Sequence, residues 1–180
     1  FMKRFLALSR NWRTGDPLDP ANNSGALIDS DHCAKVSSYL KGRTPLMGGE
    51  IDGNFITPTI FDDVKNTDKL ATDEIFGPIV SIITVSSIEQ AIEVANDTDY
   101  GLAASVFSAN GKKALRAARA IKAGTVTINC YGEGDITTPF GGFKQSGFGG
   151  RDNGVYAHEQ YTELKTIWID LSDKSDDGVR

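Results

Sequence analysis

Cysteine is scarce in this chain: Cys33 and Cys130 are the only two among 180 residues. That excludes a disulfide scaffold and, with no signal-peptide pattern at the start, sets a reducing, cytoplasmic compartment as the expectation. With His32 and His158 they lack the close paired spacing that lets ligands converge tetrahedrally, so no metal site is expected. No run approaches the roughly 18 uninterrupted apolar residues that a membrane helix needs, so no membrane partner is expected either. Basic charge is in deficit, 19 Lys and Arg against 24 Asp and Glu for a net charge of -5. That balance argues against nucleic acid as a partner. In a reducing compartment, Asn22-Asn23-Ser24 and Asn96-Asp97-Thr98 are chance matches to a glycosylation triplet.

The remaining composition, 39% hydrophobic and 24% charged, is that of a globular protein large enough to bury a core. Phe1, Phe5, Leu8 and Trp12 stand at helical spacing, opening a helix that lacks a cap, as a segment of a longer chain would. Gly15-Asp16-Pro17 ends it. Asp29 or Ser30 caps a second helix to about Lys41, with Val36 and Leu40 facing inward. Gly48 to Asn54 reads as a hairpin turn, and Phe55 to Phe61 as an edge or irregular strand interrupted by Pro58. The apolar run Ile79 to Val85 reads as a strand buried on both faces. Ser86-Ser87-Ile88-Glu89 has capping-box spacing ahead of a helix to Asn96. Tyr100 to Phe107 reads as a strand, Asn110 as the cap of a basic helix to Lys122, and Gly124 as its left-handed terminator. Thr125 to Asn129 reads as a further strand. Strand and helix alternate, which predicts an α/β fold with a largely parallel sheet. The 19 glycines exceed the usual ~7% and concentrate between Gly132 and Gly154, which reads as an ordered loop.

Candidate chemistry is sparse. Gly142 to Gly147 superficially suggests a phosphate loop, but Phe148 stands where Lys and then Ser or Thr are needed. Cys130 follows a strand and opens the glycine-rich loop; it is either a small half-buried filler or a thiol lining a pocket, and nucleophilic work would require His158 or an acid as base. Cys33 reads as structural. Glu74-Ile75-Phe76-Gly77-Pro78 places a carboxylate and an aromatic two apart before a strand. Either this turn approaches a ligand, or it ends a helix with Phe76 in the core.

Five segments in register carry a resemblance. They are Glu74 to Pro78, Asn96 to Phe107, Gly124 to Asn129, Pro139 to Gly147 and Tyr161 to Thr166, with Gly15 to Pro20 extending the likeness to nearly the whole chain. In order and spacing they resemble the aldehyde dehydrogenase superfamily, and its C-terminal portion only. The family's nucleotide-binding domain, its nucleophile within Gly-Gln-x-Cys and its base within Glu-Leu-Gly-Gly have no counterpart here, and neither Cys33 nor Cys130 matches the nucleophile.

The resemblance implies a partial aldehyde dehydrogenase catalytic domain over residues 1–160, an oligomerisation strand over 161–171 that makes a homo-oligomer, and a polar tail over 172–180. It implies NAD or NADP as cofactor in the complete enzyme and a small aldehyde as substrate. Glu74 resembles the carboxylate that holds the ribose next to nicotinamide, and Phe76 the ring beside that nicotinamide. His32 matches a position where relatives have glutamine contacting the adenine-side ribose, with Lys35 nearby. Cys130, Gly134 and Phe140 match positions lining the aldehyde funnel, and Gly134, where several relatives carry an aromatic, implies a wider pocket. Asp152 matches a glutamate near the water path, behind one extra glycine in Gly149-Gly150. Gly132-Glu133-Gly134-Asp135 looks most like the gamma-glutamyl-aminobutyraldehyde type, which handles polyamine-derived aldehydes. No catalytic residue is assigned within the chain, so the isolated chain is expected to be inactive. The alternative is a noncatalytic oligomerisation or regulatory fragment.

Overall fold

The computed structural model describes residues 1–132 and 134–171, so Glu133 and the expected tail 172–180 lie outside the described residues. The chain divides into two compact units, Phe1–Thr98 and a second that begins at Asp99.

The first unit holds α1 (Met2–Ser9), α2 (Ser30–Ser38), the hairpin β1 (Ile51–Asp52) and β2 (Phe55–Ile56), then β3 (Thr59–Phe61), α3 (Lys69–Thr72), β4 (Ile79–Ser81) and α4 (Ile88–Asn96). Its helix starts follow local chemistry. Asp29 Oδ1 accepts from the His32 amide at 2.7 Å, and Ser87 Oγ from the Gln90 amide at 3.1 Å. The capping box therefore sits one residue later than its spacing suggested, with Gln90 Oε1 reaching back to the Ser86 amide at 2.8 Å. α1 is shorter than its apolar spacing predicted. Pro58 splits the expected strand into β2 and β3, because proline has no amide for the ladder. β3 is fully buried, paired with β4 and bridged at Ile60 to Met47.

β3 pairs in parallel with β4, Ile60 opposite Val80. The Ile79 to Val85 run shortens to three residues and is only half-covered, which corrects the expectation of burial on both faces. Past Phe61 the partner strand turns off through Asp63, whose φ is 52°. The core joins Cys33 and Val36 of α2 to Ile56, Phe61, Val64, Leu70 and Ile75.

In the second unit, β5 (Tyr100–Gly101) pairs antiparallel with β8 (Phe143–Lys144), and β6 (Ala103–Val106) pairs in parallel with β7 (Thr125–Ile128). The expected single strand from Tyr100 breaks at Leu102, where the chain changes partner. α5 (Gly111–Ala120) crosses over between β6 and β7, burying Ala114 and Ala117, and is capped by Asn110 Oδ1 on the Lys113 amide at 3.0 Å. Gly124 is not left-handed. Its hydrogen is required by packing instead: a Cβ there would stand 1.6 Å from the Gly141 carbonyl oxygen. Strands among the described residues thus pair two by two, half of the pairs parallel and half antiparallel, rather than in one largely parallel sheet. A 3-10 helix covers Val155–Gln160. Residues 161–171 form no strand within the chain, and Leu164, Trp168 and Leu171 are exposed. A strand requires a neighbouring strand to complete its ladder.

Candidate functional site

Two groups of site residues emerge, one in each unit. The first is built by α2. Positions 32, 36 and 39 recur at i, i+4 and i+7, which puts them on one helical stripe. All three engage the turn before β4. The His32 imidazole Nε2 is 2.7 Å from the Phe76 carbonyl oxygen. A carbonyl can only accept, so this nitrogen carries the proton and donates it. Val36, fully buried, seats Gly77 so closely that a Cβ on the glycine would lie 2.6 Å from Val36 Cγ1. The Tyr39 hydroxyl donates to Asp73 Oδ2 at 3.0 Å. That bond, with desolvation and the aspartate's charge, pushes the tyrosine hydroxyl above its ordinary value.

Within the turn the side chains alternate. Ile75 is buried in the core, while Glu74 and Phe76 on either side are exposed, Phe76 at 69%. The core alternative for Phe76 is thereby removed. Phe76 also has φ 56°, a left-handed conformation that costs a bulky residue about 1–2 kcal/mol and persists only where surroundings impose it. No ion pair or hydrogen bond joins the Glu74 carboxylate to another described residue. A free carboxylate beside an outward ring fits the sugar and aromatic base of a nucleotide: the one accepts two hydroxyl donors, the other offers a stacking face. Lys35, one turn beyond His32, is exposed.

The second group surrounds a cavity of about 530 Å³, within the 300–1,000 Å³ usual for small-molecule sites. Its floor is β6 and β7, through Ala103, Ser105, Thr125 and Thr127, and its rim is the glycine-rich loop, through Tyr131, Gly134, Asp135 and Phe140. Two of the three funnel positions, Gly134 and Phe140, line it. Cys130 does not; its thiol donates to the Ile128 carbonyl at 3.4 Å. The chain turns there because Asn129 adopts φ 57° and clasps Ser108, whose amide donates to Asn129 Oδ1 at 2.8 Å. A Cβ on Gly134 would meet open space, as a wide pocket requires. Phe140 is fixed by a two-way backbone bridge to Asp152, both bonds 2.7 Å, so Asp152 serves the loop through its main chain.

Asp135 was legible only as one acid beside the funnel. The structure makes it a fixed anion on the rim. Its Oδ1 accepts from the Thr137 hydroxyl at 2.6 Å and the Thr137 amide at 2.8 Å. These bonds, the hydroxyl's first, hold its carboxyl below the usual carboxylate range. The Asp-x-Thr spacing was the signal that could have revealed it.

Neither thiol is set up as a nucleophile here. Cys33 is buried, donating to the Gly53 carbonyl at 3.3 Å, and no histidine is bonded to either sulfur among the described residues. Among those residues no three His, Cys, Asp or Glu are grouped to hold a metal, and no helix is long and apolar enough to cross a membrane.

Comparison with known proteins extends this picture. Residues 1–167 match the model of the aldehyde dehydrogenase family. Aminoacetaldehyde dehydrogenase of Pseudomonas aeruginosa is 52% identical over 177 residues, covering 95% of this chain and 36% of that protein. NADP/NAD-dependent aldehyde dehydrogenase PuuC of Escherichia coli is 46% identical, covering 93% of this chain and 36% of that protein. Among solved structures, indole-3-acetaldehyde dehydrogenase complexed with NAD+ superposes with a TM-score of 0.84 at 47% identity, over 94% of this chain and 37% of that one. The chain thus spans a little over a third of the length of the curated relatives it matches. The family match across 167 of its residues, at identities near one half, shows that this chain belongs to the aldehyde dehydrogenase family.

Proposed function

We propose that this chain is the C-terminal portion of an NAD(P)-dependent aldehyde dehydrogenase that oxidises an amine-bearing aldehyde to its carboxylate. The observation that carries the reading is the turn at residues 74–76, where Glu74 and Phe76 face outward on either side of the buried Ile75. NAD or NADP, when bound, supplies the hydride acceptor. Glu74 accepts the hydroxyls of the nicotinamide ribose and Phe76 packs beside the nicotinamide ring, so the chain's contribution is orientation. Lys35, exposed on α2, would meet the adenine half of the cofactor.

The cavity between the glycine-rich loop and β6–β7 receives the substrate's tail. Gly134 leaves it wide, Phe140 and Tyr131 give it aromatic walls, and Asp135 places a fixed negative charge on its rim. An ammonium group suits that combination, since a desolvated cation is held by both carboxylate and ring faces. The aminoacetaldehyde dehydrogenase relative supports this substrate class. The nucleophilic thiol and the base that activates water come from outside these residues, because Cys33 is buried and Cys130 is turned to a backbone carbonyl.

The test compares the 180-residue chain with the enzyme that contains it, following cofactor reduction with aminobutyraldehyde and with a neutral aldehyde of equal length. The chain alone should give no turnover, and the enzyme should prefer the amine. Turnover by the chain that vanishes with Cys130→Ser would overturn the division of labour; a preference for the neutral aldehyde would overturn the substrate class.

The exposed Leu164, Trp168 and Leu171 support a homo-oligomer formed through residues 161–171, since an apolar segment of this kind is an aggregation hazard unless another copy covers it. Residues 1–160 would then form the catalytic-domain portion.

A further inference from the structure

Three observations converge on His32. Its Nε2 donates to the Phe76 carbonyl at 2.7 Å, across 44 positions of sequence. Phe76, the residue so held, has the left-handed φ of 56°. Gly77, the next residue, sits against Val36 of the same helix with no room for a Cβ. One face of α2 therefore grips the turn on both sides of the point where Phe76 leaves it. Because Nε2 is the atom that reaches the carbonyl, it is already committed, and that proton is not available to a sugar hydroxyl.

We propose that His32 is a positioning residue for the cofactor clamp: it holds the Phe76 carbonyl, and thereby sets the aim of the Phe76 ring and the Glu74 carboxylate, rather than contacting the cofactor itself. This rests on the reading of Glu74 and Phe76 as the nicotinamide-side clamp. A left-handed aromatic relaxes toward ordinary backbone geometry when its restraint is removed. At Phe76 that relaxation would rotate the ring away and shift Glu74 two residues earlier. The loss would fall on the alignment of the reacting partners more than on binding, since a misaimed ring and carboxylate cost orientation first. Glutamine, whose side-chain amide can donate at similar reach, should substitute for the imidazole.

The experiment makes His32→Ala and His32→Gln in the enzyme that contains this chain. Cofactor affinity is measured by fluorescence titration, the hydride step by single-turnover kinetics with deuterated aldehyde, and stability by thermal unfolding. In parallel, NMR of isotope-labelled histidine in the 180-residue chain reads the His32 tautomer. The expected result is an Nε2-protonated ring in the chain, and in the enzyme a fall of roughly ten- to a hundredfold in the hydride step for His32→Ala. Its cofactor dissociation constant should change less than about threefold, and His32→Gln should recover most of the rate. A raised dissociation constant with an unchanged hydride step would overturn the proposal in favour of direct contact. A change confined to thermal stability, unaltered behaviour throughout, or a ring protonated only at Nδ1 would also overturn it. Glu74→Gln and Phe76→Leu separate the two ideas: if both leave affinity and hydride step untouched, the clamp reading itself fails, whatever His32 does to the turn.

Discussion

Substituting Gly77 by alanine tests whether α2 really carries the turn. The backbone of Gly77 is not left-handed, so alanine meets no conformational penalty there. The obstacle is a single side chain. The new Cβ would stand 2.6 Å from Val36 Cγ1 and 3.1 Å from Cγ2. The first contact is about 1 Å short of the 3.5–4.0 Å that two carbons prefer. Val36 is fully buried among Cys33, Ile56, Phe61 and Ile75, so it cannot swing aside without displacing the core. Overpacking of that kind costs about 1–3 kcal/mol. Val36→Ala alone removes both offending methyls and costs about 2–3 kcal/mol, as lost burial plus a residual cavity. In the double variant the Gly77→Ala methyl partly fills the space that Val36 vacated, so the two costs should fall short of their sum by at least about 1 kcal/mol. Urea denaturation combined with hydrogen exchange of the α2 amides measures this in the first unit, without assuming that the whole chain unfolds at once. Costs that add to within about 0.5 kcal/mol would show that Gly77 and Val36 do not share the space assigned to them.

Further outcomes follow from other contacts. Gly124→Ala places a methyl 1.6 Å from the Gly141 carbonyl oxygen, so it should give insoluble protein or lose more than about 3 kcal/mol in denaturant titration; a near-neutral result would mean that the Pro139–Gly147 loop does not dock on the start of β7. Thr137→Val removes the hydroxyl donor that lowers the Asp135 carboxyl, so its titration, read by carboxyl NMR, should move up toward the ordinary 3.8. Because the folded value is depressed, this contribution to stability is present above the unfolded value and lost as pH falls through the folded one; in Thr137→Val the contribution should be smaller and its loss complete at a higher pH, and an unmoved titration would refute the bond. Deleting the residues after Gln160 should convert an oligomer to monomers or insoluble protein, measured by light scattering after size exclusion; a full chain that is itself a soluble monomer at tens of micromolar would refute pairing through 161–171.

What the sequence determined by itself is what a few neighbouring residues decide. Asp29 and Asn110 each cap the helix they precede because the cap bond spans three residues, the cap at Ser87 was legible to within one residue, and the hairpin at 51–56 needs only its own turn. The five ordered motifs identified the family for a related reason: each is a local run, read without knowing what it touches. Tertiary structure decided the rest, because the relevant partners are far apart in sequence. Val36 and Leu40 read as the inward face of α2 and His32 as a ribose contact, yet only folding showed His32, Val36 and Tyr39 spent on the turn at 73–77. Gly124 looked like a helix terminator, and its real constraint is the Gly141 carbonyl. Cys130 and Gly134 looked equivalent as funnel residues until Asn129's turn put one outside the cavity lining and the other on its rim. The alternating apolar pattern after Tyr161 specifies two apolar faces but no partner. A strand is completed by another backbone, and which backbone that is lies outside any local pattern.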